Sequence, residues 1–452
     1  MTRIGEIVRL AIDDLAFDGK SVSKSLGKVV FLNGGLPGET VEAEIVRTGR
    51  RFDVGRVNHI IDKVPERIEP VCEHFENCGG CTWQDLDYER QLYFKHKQVV
   101  DCLERLGRLE GVETKPVMPS QERFFYRNKM EFSFNTDPER GFVLGMHHRG
   151  RWEQIFDLNA CHLQSETSNR LVHWARDYVG RTGLSVYDIA SHEGFLRFLM
   201  IREGKNTGQV MVNVVTNYGD IPEPDSLVRD LLAAVPEVTT LVHNQNGQKS
   251  NIATGEVEKI LYGPGYIEEE LSGCRFRIRA NSFFQTNSRQ AERLYQVGFD
   301  LLQAKPSDRV LDLYCGAGTI GIILARSVAR VTGVELIEDA IAAARENAGL
   351  NHIDNVEFHQ ANVRAWLKAR EDSHDFDAVI VDPPRAGLHP KALKRIIAMA
   401  PARLLYISCN PATFARDASE FAKSGYELSP VQPVDMFPHT MHIELVCLLL
   451  RR

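Results

Sequence analysis

Hydrophobic and polar positions follow three different rhythms along this chain. Up to about residue 62, short apolar runs at 27–31, 41–45 and 54–57 alternate with polar positions and are broken by glycine and proline, most densely at Gly34-Gly35-Leu36-Pro37-Gly38. Strand and turn signals at that frequency predict a small β-barrel, most economically of OB type, a scaffold often used for nucleic acid. Then Leu86, Tyr93, Val99, Val100, Leu103 and Leu106 recur at helical spacing and Gly107 closes the run, so one helix is predicted over 83–109, packing on a domain other than its sequence neighbours. Strand-like alternation returns between about 124 and 217, for example at 197–201 and 209–215 around the turn 203–208. Beyond about 275, buried strands alternate with helices in the doubly wound manner. The strands fall at 309–313, 331–334, 356–358, 378–381, in a run ending at Cys409, and at 441–450; helices are predicted at 320–325 and about 339–347. The predicted fold is therefore α/β with β-rich additions: 1–62 a barrel, 63–272 a β-rich central domain, and 273–452 an open α/β domain. The sequence shows no internal repeat and no low-complexity segment.

Composition changes this picture little. The 452 residues, 43% hydrophobic and 25% charged, suit a globular chain of two to four domains. A net charge of −7 gives no global pull toward nucleic acid, so RNA contact would need local basic patches. Candidates are Arg47, Arg50 and Arg51, the run Tyr126-Arg127-Asn128-Lys129, and His147-His148-Arg149. No stretch approaches the roughly 18 apolar residues that span a bilayer, and the N-terminus lacks a signal pattern. A soluble, cytoplasmic protein is expected, with no membrane association, no obligate protein partner and a monomer as the default.

Nine cysteines without a secretory signal point to metal or catalytic use more than to disulfides. Cys72, Cys78 and Cys81 form C-x5-C-x2-C with Gly79-Gly80 in the short arm, where the backbone can fold tightly around a bound centre. Cys161 is the best candidate for a fourth ligand. Zinc and iron-sulfur both accept four thiolates, and His74 and His162 keep a mixed zinc site open.

The α/β segment carries the chemistry on its rim, because open α/β sheets bind ligands at the carboxyl ends of their strands. Gly316, Gly318 and Gly321 match G-x-G-x-x-G and Glu335 follows at a distance suited to a ribose, so a nicotinamide cofactor is one reading. S-adenosylmethionine is the better one. Asp312 stands on the strand before the turn and Asp382-Pro383-Pro384 ends a later strand; carboxylates suit a cationic cofactor and would repel a pyrophosphate. Asp-Pro-Pro alone suggests methylation of an exocyclic amine. Methylating a pyrimidine at C5 needs in addition a thiolate that adds at C6 and a base that removes the C5 proton. Cys409, in Ser408-Cys409-Asn410-Pro411, supplies a thiol, and Glu444, an acid within an apolar strand, is the candidate base. A noncatalytic RNA-binding assembly factor with a decayed methyltransferase fold is the reading from a different class, and intact Cys409 and Glu444 argue against it.

These residues resemble the bacterial RNA (uracil-5-)-methyltransferases, which make 5-methyluridine in 23S ribosomal RNA and transfer RNA, and the likeness covers essentially the whole chain. It implies a TRAM domain at the N-terminus, a [4Fe-4S] cluster held by Cys72, Cys78, Cys81 and Cys161, and a Rossmann-like class I methyltransferase domain using S-adenosylmethionine. It also implies Cys409 as nucleophile and Glu444 as base, with Gln285, Tyr314, Glu335, Asn362 and Asp382 as cofactor contacts and Phe283 as a packing surface for the flipped uracil. Thr319 departs from the pattern, standing where some members have an asparagine that contacts the cofactor. The cluster and the barrel are more typical of the 23S ribosomal RNA members than of the transfer RNA ones.

Overall fold

The computed structural model describes residues 2–249, 252–370 and 375–452, and among them the strands gather into four sheets. Six strands from Ile7–Ala11 to Phe52–Asp62 form the first. Alternate residues Leu10, Val30, Leu32, Val41, Ala43 and Ile45 bury its apolar face. Seven strands from Lys129–Asp137 to Val257–Tyr262 form the second. The stretch 124–217, read as strand-like alternation, contains the helix Glu166–Thr182. Ser165 caps that helix by accepting the Ser168 N–H at 3.1 Å, and Leu171, Val172, Ala175 and Val179 face the sheet at helical spacing. A two-stranded hairpin, Tyr266–Leu271 with Cys274–Arg279, follows; its Ile267, Leu271, Phe276 and Ile278 are buried in the core of the last sheet. The hairpin turns at residues 272–273, where the sequence pattern places the start of the last domain.

The last sheet holds β1 (Arg309–Leu313), β2 (Arg330–Glu335), β3 (Val356–Gln360), β4 (Ala378–Val381), β5 (Arg403–Ser408), β6 (Tyr426–Leu428), β7 (Gln432–Val434) and β8 (Glu444–Arg451). Their order is β3-β2-β1-β4-β5-β8-β6, with β7 also paired to β8. Neighbours among β1 to β5 are parallel, whereas β8 runs antiparallel to β5. The strand order reverses between β1 and β4, and a crevice opens at such a point outside the carboxyl ends. The final strand begins at Glu444 rather than at 441, because the residues before it are held by other bonds. No described helix is long and apolar enough to cross a membrane.

The helix expected over 83–109 is shorter and changes form. Helix α1 (Tyr88–Asp101) starts after Asp87, whose side chain accepts the Glu89 N–H at 3.0 Å. A π-helical turn, Cys102–Gly107, continues it and closes at Arg108 in the left-handed region. Thr82 and Trp83 cannot join the helix, because both of their N–H groups donate to the His439 carbonyl, at 2.8 and 3.1 Å. The α1 face carrying Tyr88, Leu92 and Val99 packs into the core of the last sheet.

Charge fastens α1 there. Lys95 Nζ lies 2.6 Å from Asp435 Oδ1, and neither side chain is exposed at all. Lys95 also donates to the Phe437 carbonyl at 3.0 Å, Tyr88 Oη donates to Asp435 Oδ2 at 2.8 Å, and Gln91 Oε1 accepts the His439 N–H at 3.0 Å. Asp435 follows β7, so these bonds hold the strap 435–443 that leads into β8. Lys95→Met leaves the Asp435 carboxylate buried without its cation, a loss of about 3 kcal/mol for a broken buried pair. Thermal denaturation is expected to show a lowered midpoint for Lys95→Met and recovery of most of it in Lys95→Met/Asp435→Leu.

Candidate active site

After β1 the chain makes a tight turn, Tyr314 to Gly318, into helix α3, which follows α2 (Ser288–Leu302) and spans Thr319–Ala325. Gly318 has φ 78°, and a Cβ there would stand 2.7 Å from Phe358 Cζ, so only glycine fits. Gly316, at φ 53°, has nothing within 4 Å of the same position: its backbone borders open space. Glu335 at the end of β2 closes the turn, accepting the Gly316 N–H at 3.3 Å on one oxygen and those of Leu336 and Ile337 at 2.7 and 3.0 Å on the other. Beyond β3, Asn362 Oδ1 accepts the Arg364 N–H at 3.1 Å and caps the helix Val363–Lys368, a cap that engages the oxygen of its amide and not the nitrogen.

Cys409 sits between β5 and the helix Pro411–Lys423. Proline suits the first helical position and asparagine the cap, and Asn410 does two jobs. Its Oδ1 accepts the Ala412 N–H at 3.0 Å, and its Nδ2 donates to the Arg385 carbonyl at 2.9 Å, tying the loop after Asp382 to the loop of the thiol. Ser408 of β5 lies opposite Leu445 of β8, so Glu444 falls beside Cys409 at the rim. Val446 and Leu448 are buried in the core that contains α2 residues, while Leu445, Cys447 and Leu449 face the other side. By strand alternation the buried Glu444 carboxyl points toward α2.

One cleft of about 1660 Å³ gathers the two expected catalytic residues, Cys409 and Glu444, and the five expected cofactor contacts, Gln285, Tyr314, Glu335, Asn362 and Asp382, whereas Asp312 does not line it. Thr319 lines it too, and Phe283 stands 75% exposed on its wall. Arg385, Phe437, His442, Tyr295 and Arg127 also line the cleft and were not singled out for it. Arg385 had a local signal, its place after Asp-Pro-Pro; the others come from segments whose approach only the fold reveals.

The cleft is a low-dielectric site rich in acids. Burial pushes the Asp382 carboxyl up to about 7. Burial and then the Asp382 charge take Asp312 to about 8, with the Gly321 backbone N–H opposing. Burial, then Asp382, raises Glu444 well above the carboxylate range, with Arg385 opposing. Cys409 is pushed up to about 11 by burial and by Glu444 and Asp382, again against Arg385. Buried acids beside an open glycine turn fit a positively charged ligand that has no phosphate, and S-adenosylmethionine is such a ligand.

The cysteine loop abuts the strap, where Thr82 and Trp83 donate to the His439 carbonyl. Arg149 donates to the Phe75 and Cys81 carbonyls at 2.8 and 2.7 Å and so shapes the loop. Cys72 is pushed up to about 11 by burial and by the charges of Cys161 and Cys78; Cys81 rises to about 12 through burial and all three other thiols. The four are thus close enough to act on one another. Among the described residues, however, no three His, Cys, Asp or Glu side chains are arranged to hold a single metal ion. The runs read as RNA-facing are in part internal scaffolding. Tyr126 is buried with its hydroxyl donating to the Pro438 carbonyl at 3.1 Å, and Asn128 donates to the Gln285 carbonyl at 2.7 Å.

Residues 232–452 match the family model described as tRNA (Uracil-5-)-methyltransferase. An uncharacterized RNA methyltransferase of Chlorobaculum tepidum is 42% identical, with 98% of this chain and 96% of the relative covered. Another from Porphyromonas gingivalis is 38% identical, covering 98% and 99%. Among solved structures, the tRNA (uracil-54, C5)-methyltransferase of Pyrococcus abyssi in complex with S-adenosyl-L-homocysteine is 34% identical with a TM-score of 0.80, covering 98% of this chain and 99% of that one. This chain belongs to the family of S-adenosylmethionine-dependent RNA (uracil-5-)-methyltransferases.

Proposed function

We propose that this protein forms 5-methyluridine in RNA with Cys409 as nucleophile and Glu444 as base. The observation that carries the reading is the register of β5 against β8, which sets a thiol and a buried carboxyl side by side on the cleft. Cys409, its thiol proton lost to water, bonds as the thiolate through Sγ to C6 of a flipped uracil, and the C5=C6 electron pair moves onto C5 and the C4 carbonyl. S-adenosylmethionine, when bound, supplies an electrophilic methyl group, which C5 accepts. The Glu444 carboxylate then takes the C5 proton, the C–H pair restores C5=C6, the C6–S bond breaks and the thiolate returns. Gln285, Tyr314, Glu335, Asn362 and Asp382 hold the cofactor around the glycine turn. Thr319 offers a hydroxyl where some members offer an amide. Phe283, exposed on the cleft wall, packs against the uracil.

In this reading 273–452 is the catalytic domain, 63–272 frames the cleft and carries the cysteine centre, and 1–62 is a TRAM-type module for RNA. Arg47, Arg50 and Arg51 are exposed there, with the Arg47 guanidinium 5.6 Å from the Phe52 ring centroid, a basic and aromatic surface that suits RNA. Cys72, Cys78, Cys81 and Cys161 hold a [4Fe-4S] cluster. Thiols pushed up by burial stay neutral unless a positive centre takes their charge, and a cluster needs its thiolates farther apart than one tetrahedral ion does. The cluster is structural, because methyl transfer and proton removal move electrons in pairs.

The RNA is 23S ribosomal RNA, the class that a barrel and cluster accompany in the family resemblance. Transfer RNA is the second reading, favoured by the Pyrococcus abyssi match over 98% of the chain. Nucleoside mass analysis of both RNAs from a deletion strain is expected to show 5-methyluridine missing from 23S fragments; its loss from transfer RNA alone would select the second reading. Cys409→Ala is expected to abolish methyl transfer to uridine, and Glu444→Gln to accumulate protein covalently joined to methylated RNA, seen as a shifted band on denaturing gels. Protein purified without oxygen is expected to contain equal amounts of iron and acid-labile sulfide, and Cys78→Ser to lose both together with thermal stability.

A further inference from the structure

The loop 280–288 brings Phe283 and Gln285 to the cleft, and side chains at one end of the seven-stranded central sheet hold its backbone. Arg202 of strand Leu196–Glu203 pairs with Lys129, the first residue of strand Lys129–Asp137, so Arg202 and Asn128 meet the loop side by side. The Arg202 guanidinium donates to the Ala280 carbonyl from Nε at 3.3 Å and from Nη2 at 3.2 Å, and Nη2 also donates to the Ser282 carbonyl. Asn128 takes the other end of the loop. Its Nδ2 donates to the Gln285 carbonyl at 2.7 Å and to Ser288 Oγ at 2.9 Å, and its backbone N–H donates to the Thr286 carbonyl at 2.8 Å. Between the two clamps Phe284 is buried with its ring centroid 6.0 Å from that of Phe276, while Phe283 and Gln285 on either side of it line the cleft.

Arg202 is an unusual choice for a purely structural position. It is only 3% exposed, and all its described hydrogen bonds go to main-chain carbonyls rather than to an acid. Glu131, whose charge acts on it, is itself paired with Lys129 at 2.5 Å. A buried cation held only by neutral acceptors costs stability, whereas an apolar side chain of similar length would fill the space without that cost. What the guanidinium adds is direction, because its planar fork fixes two carbonyls at once. We propose that Arg202 is a positioning residue for cofactor and uracil, clamping the Ala280 and Ser282 carbonyls while Asn128 clamps that of Gln285, so that the Gln285 amide and the Phe283 ring stand ready at the cleft. Neither Arg202 nor Asn128 lines the cleft, so both act through the loop they hold.

The inference rests on Gln285 as a cofactor contact, and a double-mutant cycle separates the two claims. Affinity for S-adenosylhomocysteine is measured by titration calorimetry for the wild type, Arg202→Lys, Gln285→Ala and the double variant, each at a temperature where circular dichroism shows it folded. Lysine keeps the charge and the long stem but loses the fork. Gln285→Ala is expected to weaken binding about tenfold, as loss of a hydrogen bond to a charged ligand does. Arg202→Lys is expected to weaken it about fivefold, and the double variant no further than Gln285→Ala alone, because the clamp acts through the amide already removed. If Arg202→Lys does not fold, Arg202→Met takes its place in the same cycle with the same expectation. Wild-type affinity in the Arg202 variant, or losses that multiply in the double variant, would overturn the positioning role and leave the Gln285 contact standing. Wild-type affinity in Gln285→Ala would overturn both.

Discussion

Much of this structure depends on one buried ion pair, Lys95 with Asp435. Two unexposed charges 2.6 Å apart exact a desolvation cost, which the added bonds to the Phe437 carbonyl and from Tyr88 help to offset. What the pair secures is geometry. It joins a helix far upstream in sequence to the strap 435–443, and the strap delivers Phe437 and His442 to the cleft wall and Glu444 to its place beside Cys409. The cysteine loop grips the same strap through Thr82, Trp83 and the His439 carbonyl, and Tyr126 grips it through Pro438. Changes in the cysteine loop can therefore reach Glu444 through the strap.

The second constraint is electrostatic. Asp312, Asp382 and Glu444 are all pushed upward by burial, and the Asp382 charge adds to it at Asp312 and Glu444. An acid cluster of this kind is poorly ionised until a positive charge arrives. In the proposed mechanism a sulfonium cofactor held at the glycine turn would supply that charge, linking its binding to the ionisation of Glu444. Arg385 is the cation that acts on both Cys409 and Glu444, and Asn410 holds its loop from the first turn of the helix after the thiol.

The rim of the α/β sheet was legible in the sequence because each chemical residue ends a buried apolar run. Tyr314, Glu335, Asn362, Asp382 and Cys409 follow or end parallel strands and line one cleft for that reason, whereas Gln285 comes from a loop before α2 and Glu444 from the start of β8, and Gln285, Tyr314 and Asn362 were legible only through the family resemblance. The helix Glu166–Thr182 was missed because strands on both sides set the rhythm of its neighbourhood. The extent of α1 was misread because Thr82 and Trp83 answer to a carbonyl more than 350 residues away. Lys95 and Asp435 look like ordinary surface charges in a linear string, and only the fold buries them against each other.

The central claim is that a thiolate addition at C6 makes C5 reactive and that the C5 proton is then removed. RNA carrying tritium at uridine C5 tests this most directly, with methyl transfer and tritium release to water followed together. The account predicts one tritium released for each methyl group gained, and release that fails when Cys409 is replaced by alanine. Methyl transfer with tritium retained on the base would contradict it.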